Sequence, residues 1–352
     1  MSAKLFEQIE EFEYLTDGVH PLYNFNSSKL ASFDEQKEIP LILINCGSFS
    51  PVTFMHLETL EMARKKIEEI KEIQVMTKKK DGSNAKSLKV IGGFLSPVSN
   101  QYEKRGILQG LHRYEMCARA LNNNPWISID TNELLNKKYL YTYESLKLFR
   151  YHAIKAIKND QIKIILVAGT DLIETFFVPG CWALEDIRGI INEFGIVVVQ
   201  RDGVTFDSIL KDKMKQGVEV NNSLENSSDI FQEKNLINQQ ITHILQENLN
   251  TQIYLVEQNP DQNQDQDQDQ DPRPYTGKNL DPTLSSTKIR SHLVQKKSIE
   301  GMTPNAVIDY IYSQKLNYYF AKYFEPDGKP NKNFFDSNGR FLKEYQDEDY
   351  AN

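Results

Sequence analysis

Cysteine is scarce in this chain: Cys46, Cys117 and Cys181 are the only three in 352 residues, an odd number without metal-ligand spacing. That argues against a disulfide framework or a cysteine-built zinc site and fits free thiols in a reducing compartment. No run of about eighteen apolar residues is present, so no membrane span is read from the sequence. The opening MSAKLFEQIEEFEYL is acidic and lacks the apolar centre of a secretory signal, so a cytoplasmic or nuclear location is expected. Basic residues are not in excess either. The net charge is −8, and a nucleic-acid-binding body would carry a basic footprint. Apolar residues reach only 39%, which suggests polar segments attached to a smaller folded unit.

What is present is concentrated first in Leu41–Arg64, LILINCGSFSPVTFMHLETLEMAR. Leu41-Ile42-Leu43-Ile44 has the continuous apolar character of a buried parallel strand. The run breaks at Asn45–Pro51, and an amphipathic pattern with Met55, Leu57, Leu60, Met62 and Ala63 follows Thr53. Strand, tight loop and helix in this order present backbone N–H groups where the helix dipole favours an anion. Gly47 offers a phosphate close approach to the backbone, and His56, near the helix start, can donate to a phosphoryl oxygen. The spacing G-x-F-x-P-x-x-x-x-H is neither a Walker A loop nor a G-x-G-x-x-G fingerprint. Taken alone it is equally compatible with an ordinary turn and a solvated histidine.

Further strands are expected at Val90–Leu95, Trp126–Asp130, Ile162–Val167, Gly195–Gln200 and Ile253–Val256, with helices at Leu111–Leu121, 140–158 and Leu172–Phe177. Alternation of this kind predicts an α/β, Rossmann-like doubly wound parallel sheet, with a small C-terminal helical region of two helices after Ser285. Ligands bind beyond the carboxyl ends of such strands, so Gly47, Ser96, Gly169 and Arg201 should gather on one rim. Around a domain at 40–325, the sequence predicts a polar N-terminal extension (1–39, with one amphipathic helix at Leu5–Leu15) and a mobile tail (326–352). It also predicts a polar insertion at about 203–250 and a low-complexity loop at about 259–283. Lys78–Asn84 reads as a solvated basic loop.

Ser285-Ser286-Thr287-Lys288-Ile289-Arg290 is the second motif. Hydroxyls and N–H groups at a helix start suit a phosphate, and a guanidinium one turn on can clamp its oxygens. By itself this is a plain N-cap with a surface arginine. Together with the His56 motif it resembles the ATP clamp of the HIGH nucleotidyltransferase superfamily. SPVSNQYEKRG, LHRYEM, GTDLIETFFVPGCW and EDIRGIINEFGIVVVQRDG further resemble segments of the eukaryotic nicotinamide/nicotinate mononucleotide adenylyltransferases. The likeness covers about 41–202 and 284–320.

That resemblance implies adenylyl transfer from ATP, with Mg²⁺, to nicotinamide or nicotinate mononucleotide, yielding NAD or its deamido form. It implies a catalytic set of His56, Lys104 and Arg290. Gly47, Ser48, Phe49, His56 and Ser285 to Arg290 would hold ATP and its phosphates. Lys104, Ser145, Gly169, Asp171, Trp182 and Arg201 would hold the mononucleotide or dinucleotide, Trp182 by stacking on the pyridine ring. No protein metal ligand is expected, and a homo-oligomer is favoured. The family's aromatic residue before LKLFRYH falls on Tyr139, Tyr141 or Tyr143, because about three extra residues blur the register; the acid after the last strand falls on Glu257, with Gln258 competing for the register. A cytidylyltransferase of the same superfamily and a non-enzymatic, chaperone-like binding protein are the alternatives.

Overall fold

A computed structural model describes residues 23–70, 86–101, 106–136, 139–200, 204–221, 229–257, 280–281 and 283–334. Strand β1 (Glu38–Gly47) leads into α1 (Phe54–Glu69), β2 (Ser87–Pro97), α2 (Gly110–Ala120) and β3 (Ile127–Ile129). The short α3 (Asn132–Leu135) and long α4 (Thr142–Ile157) precede β4 (Lys163–Gly169), α5 (Thr170–Phe176) and α6 (Leu184–Gly189). Then come β5 (Ile196–Gln200), α7 (Phe206–Asn221), α8 (Asp229–Glu247), β6 (Ile253–Glu257), and finally α9 (Ser286–Val294), α10 (Asn305–Ser313) and α11 (Leu316–Tyr323).

All strand pairs are parallel and the sheet runs β3-β2-β1-β4-β5-β6. The first three strands step one way and the next three the other, so the direction reverses between β1 and β4. A crevice opens at the carboxyl ends at such a switch point. The reason β1 has no polar alternation is visible in its packing. Leu41 and Leu43 enter a core with α1 and the C-terminal helices, while Ile42 and Ile44 enter a second core with α4 and α5. A strand covered on both faces needs apolar side chains at every position.

Several expectations are corrected. The C-terminal region holds three helices, because Lys315 takes φ 55° and breaks a pattern that stays apolar on both sides of it. The segment 203–250, expected as a polar insertion, supplies α7 and α8 between β5 and β6, with Phe206, Ile209, Leu210, Ile241, Ile244 and Leu245 in the core. A narrow buried stripe on a mostly polar helix is enough for that, and composition averages it away. Residues 326–334, expected in a mobile tail, fold back: Pro326 O accepts from Ser291 Oγ at 2.6 Å, and Gly328 O accepts from Arg290 Nε at 2.9 Å. The expected helix at Leu5–Leu15, the basic loop at 78–84 and the Asp/Gln tract at 261–271 lie outside the described residues.

Candidate functional site

At the carboxyl end of β1 the backbone turns through Ser48–Val52 into α1. Thr53, extended at φ −127° and ψ 163°, is the N-cap, and the reciprocal partner three residues on is His56 rather than the usual Glu or Gln. Thr53 N–H donates to His56 Nδ1 at 2.9 Å. A backbone N–H can only donate, so the neutral imidazole carries its proton on Nε2 and offers it as a donor. The Phe49 ring stands at 81° to the imidazole, with centroids 5.1 Å apart, and fixes its tilt.

Phe49 is fully buried and takes φ 45°, a backbone conformation a non-glycine residue holds only under constraint. A side chain on Gly47 would begin 3.0 Å from the Phe49 ring. The glycine is therefore explained by its neighbour's ring. Phe49 and Ile289, both expected at the nucleotide, have their side chains in the core, so only their backbones are left to meet a ligand.

The start of α9 closes on the same loop. Ser285 caps the helix by accepting from Lys288 N at 3.2 Å, and Ser286 Oγ donates to Pro51 O at 2.7 Å. Arg290 NH1 donates to Ser50 O at 2.7 Å, its Nε to Gly328 O, and its NH2 to Thr287 Oγ1 at 2.9 Å, while Phe324 lies 5.3 Å beneath. These use three of the five guanidinium N–H donors. Burial lowers the Arg290 pKa to about 10, still cationic at neutral pH. Lys288 turns away to Asp281 and to Thr283 Oγ1 at 2.8 Å. Within this motif the Ser286 and Arg290 side chains thus hold the two segments together. The positive ends of α1 and α9 flank Ser50–Thr53, and neither helix has an acidic residue in its first turn.

On the other side of β1 lies a polar cluster that no motif announced. Asp130, just past β3, accepts from Ser96 Oγ at 3.0 Å. Glu133 in α3 accepts from Ser145 Oγ at 2.9 Å and from the Ser99 backbone. Ser145, expected to bind the mononucleotide or dinucleotide, is buried and its hydroxyl serves this carboxyl. Burial pushes Asp130 up to about 6 and Glu133 up to about 8, the second raised further by the first. Burial, then the two carboxyls, push the Cys46 thiol well above its usual value, so it stays protonated. Arg113, wholly buried in α2, donates to Leu108 O at 2.8 Å, Ser48 O at 3.3 Å and Asn100 Oδ1 at 3.2 Å. Arg113, Asn100 and Glu133 together tie the Ser96–Gln101 segment to the β1 loop. A charged residue inside the apolar stripe of Leu111–Leu121 was the one available signal for Arg113.

Glu133 keeps its proton in the fold up to about pH 8 but loses it near 4.5 when unfolded, so the native state binds more protons between those values. Stability from this group is full below the lower value and lost as pH rises to the upper one. Glu133→Gln is expected to flatten the fall in melting temperature between about pH 5 and 8, measured by thermal denaturation of both proteins. An unchanged slope would contradict the protonated carboxyl.

Gly169 ends β4 and Asp171 stands exposed in the first turn of α5 on the same rim. Trp182 is half-buried, its indole N–H donating to Thr175 Oγ1 at 2.9 Å and its ring edge-on to Phe176. Of the three tyrosines, Tyr143 packs on Gly189 and bonds Glu193, while Tyr139 and Tyr141 lie exposed edge to face, 5.3 Å apart. Lys104 and Arg201 lie outside the described residues. No group of three or more His, Cys, Asp or Glu among the described residues could hold a metal. No helix among them is long and apolar enough to cross a membrane.

The cytidylyltransferase-like family model matches residues 44–292. The chain is 33% identical over 198 residues to nicotinamide/nicotinic acid mononucleotide adenylyltransferase 2 of Saccharomyces cerevisiae, covering 53% of this chain and 46% of that protein. It is 30% identical over 194 residues to the Arabidopsis thaliana nicotinamide/nicotinic acid mononucleotide adenylyltransferase, covering 53% of this chain and 75% of that protein. The match thus spans under half the length of the yeast relative and three quarters of the plant one. A solved Plasmodium falciparum nicotinic acid mononucleotide adenylyltransferase complexed with NaAD aligns at TM-score 0.43 and 18% identity, over 80% of this chain and 98% of that one.

Proposed function

Because this chain belongs to the cytidylyltransferase-like family, on the branch of the nicotinamide/nicotinic acid mononucleotide adenylyltransferases, we propose that it transfers the adenylyl group of ATP to nicotinamide or nicotinate mononucleotide. The products are NAD or its deamido form and pyrophosphate. One observation carries the reading on this chain's own residues. Two helix starts free of acidic side chains meet at a single loop beyond β1, with a histidine Nε2 donor and an arginine beside it. That arrangement favours a polyphosphate.

The 5′-phosphate of the mononucleotide is already an anion at neutral pH, so its oxygen attacks the α-phosphorus without a general base. The new P–O bond forms as the α–β bridge breaks and pyrophosphate leaves with the electron pair. Catalysis is then mostly positioning and charge neutralisation. His56 donates its Nε2 proton as a hydrogen bond to a phosphoryl oxygen. The backbone N–H groups of Ser286 and Thr287 face the departing phosphates, and Arg290 ties their helix to the loop that leads to His56. By the family likeness, Lys104 serves the phosphates and Arg201 the adenylate side. Gly169 and Asp171 take the ribose, and Trp182 stacks on the pyridine. Mg²⁺ would arrive with the triphosphate, which with water supplies its oxygen ligands; a dehydration-resistant cation is commonly held this way.

Pyrophosphate release with ATP, Mg²⁺ and either mononucleotide tests the reading. Release with at least one, together with a dinucleotide product, is expected. No release from folded protein that still binds ATP would overturn it, and release with CTP and an alcohol-phosphate acceptor would favour cytidylyl transfer instead.

A further inference from the structure

The segment ahead of the sheet was expected to be a polar extension, yet its residues 23–37 are anchored along β2 and β3. Phe25 is buried between Phe94 and Phe149, with ring centroids 5.3 and 5.4 Å away. A methyl of Leu30 sits 2.4 Å from the point where a side chain on Gly92 would begin. Ala31 N–H donates to Ile91 O at 2.7 Å, and Lys29 Nζ donates to Leu121 O at 2.7 Å and Ile127 O at 3.0 Å. Apolar burial, a backbone hydrogen bond and a cation on two carbonyls act together, so this strap belongs to the folded unit.

The strap delivers Tyr23 to the rim. Its hydroxyl donates to Asp130 Oδ1 at 2.9 Å, and its ring meets His152 edge-on at 4.6 Å. The same carboxylate accepts from Ser96 Oγ at the end of β2 and from the backbone N–H groups of Thr131 and Asn132. One buried carboxylate therefore joins the strap, the Ser96–Gln101 segment that leads to Lys104, and the turn into α3. We propose that Tyr23 is a positioning residue for the adenylyl transfer proposed above: acting through Asp130, it sets the turn into α3 and the Ser96–Gln101 segment, which leads in sequence to Lys104, a residue assigned above to the mononucleotide.

A phenol suits this task because it supplies one O–H donor on a rigid apolar body. Phenylalanine would fill the same space and leave Asp130 one donor short. The groups facing Asp130 are Tyr23, Ser96, the two backbone N–H groups, Glu133 and Cys46, with Arg113 beyond Glu133 and His152 beside the Tyr23 ring. Burial and the neighbouring carboxylate hold Tyr23 protonated, Glu133 and Cys46 keep their protons at neutral pH, and burial keeps His152 neutral down to about 4. Asp130 is the group of this cluster that changes charge near pH 6. Loss of the tyrosine donor moves that titration upward.

The test uses the full chain carrying Tyr23→Phe, Asp130→Asn, or both. Tyr23→Phe is expected to melt cooperatively, since Phe25, Leu30, Ala31 and Lys29 still hold the strap. It should lower kcat/KM for the mononucleotide about tenfold, with KM for ATP unchanged. The acidic limb of its pH profile should move to higher pH, and adding Tyr23→Phe to Asp130→Asn should cost nothing further. Equal losses on both substrates, an unmoved limb, additive losses in the double variant, or failure of Tyr23→Phe to fold would each overturn the role. An inactive wild-type protein would instead count against adenylyl transfer itself, so the two readings fail separately.

Discussion

Replacing His56 with glutamine is expected to cut turnover by about 10²–10³-fold while leaving the melting temperature nearly unchanged. The reason lies in the dual use of this side chain. Its Nδ1 accepts the N–H of Thr53 and completes the N-terminal box of α1, and in the proposed reaction its Nε2 proton is donated to a phosphoryl oxygen as a hydrogen bond. Glutamine at the same position is a standard partner in such a box, so it can replace the structural half. It cannot reproduce an imidazole donor held edge-on against Phe49. Loss of one preorganised donor to a charge that develops in the transition state costs about 10²–10³ in rate. His56→Ala should lose the same activity and, in addition, about 1 kcal/mol of stability from the broken box. Single-turnover kinetics and calorimetry on the two variants separate these effects. Near-normal turnover in His56→Gln would remove the histidine from the chemistry.

Replacing Arg290 with methionine should damage both the fold and the reaction. The guanidinium satisfies Ser50 O and Gly328 O and packs over Phe324, so methionine keeps part of the packing and leaves two carbonyls without their donor. Unsatisfied buried acceptors cost about 1–3 kcal/mol each, and a loss of about 3 kcal/mol is expected. Lysine keeps the charge but lacks the planar fork that spans these acceptors, so Arg290→Lys should recover only part of the stability. Activity should fall at least tenfold in both variants, because the loop carrying Ser50 and Pro51 then loses the Arg290 fork and keeps only the Ser286 bond to α9. A variant with reduced activity and unchanged melting would mean that Arg290 works on the phosphates alone.

The sequence was most informative where one residue's neighbourhood is set by the chain next to it. Leu41–Ile44, Ile162–Val167 and Gly195–Gln200 were legible as strands because a parallel strand covered on both faces has to be apolar throughout. The loop and helix after β1, and the helix start at Ser285, were legible because caps and turns are local chemistry. The Asp130–Glu133 cluster was not legible. Tyr23 and Asp130 are 107 residues apart, and Ser96 and Asp130 are 34 apart. Nothing local separates these buried carboxylates from solvated ones. The break at Lys315 was missed for a related reason: one left-handed residue leaves no trace in a hydrophobic period.

The sequence by itself therefore determined the alternation of strands and helices, the carboxyl-end rim, and the two helix starts after Thr53 and Ser285. Each follows from side-chain period and backbone polarity over a dozen residues or fewer. Only the tertiary structure decided what each polar group is spent on. It assigned Ser145 to Glu133, the Ser286 and Arg290 side chains to the β1 loop, and Tyr23 to Asp130. Those choices depend on which distant segments reach the same point in space, and a buried polar group must find its partner among them or remain costly.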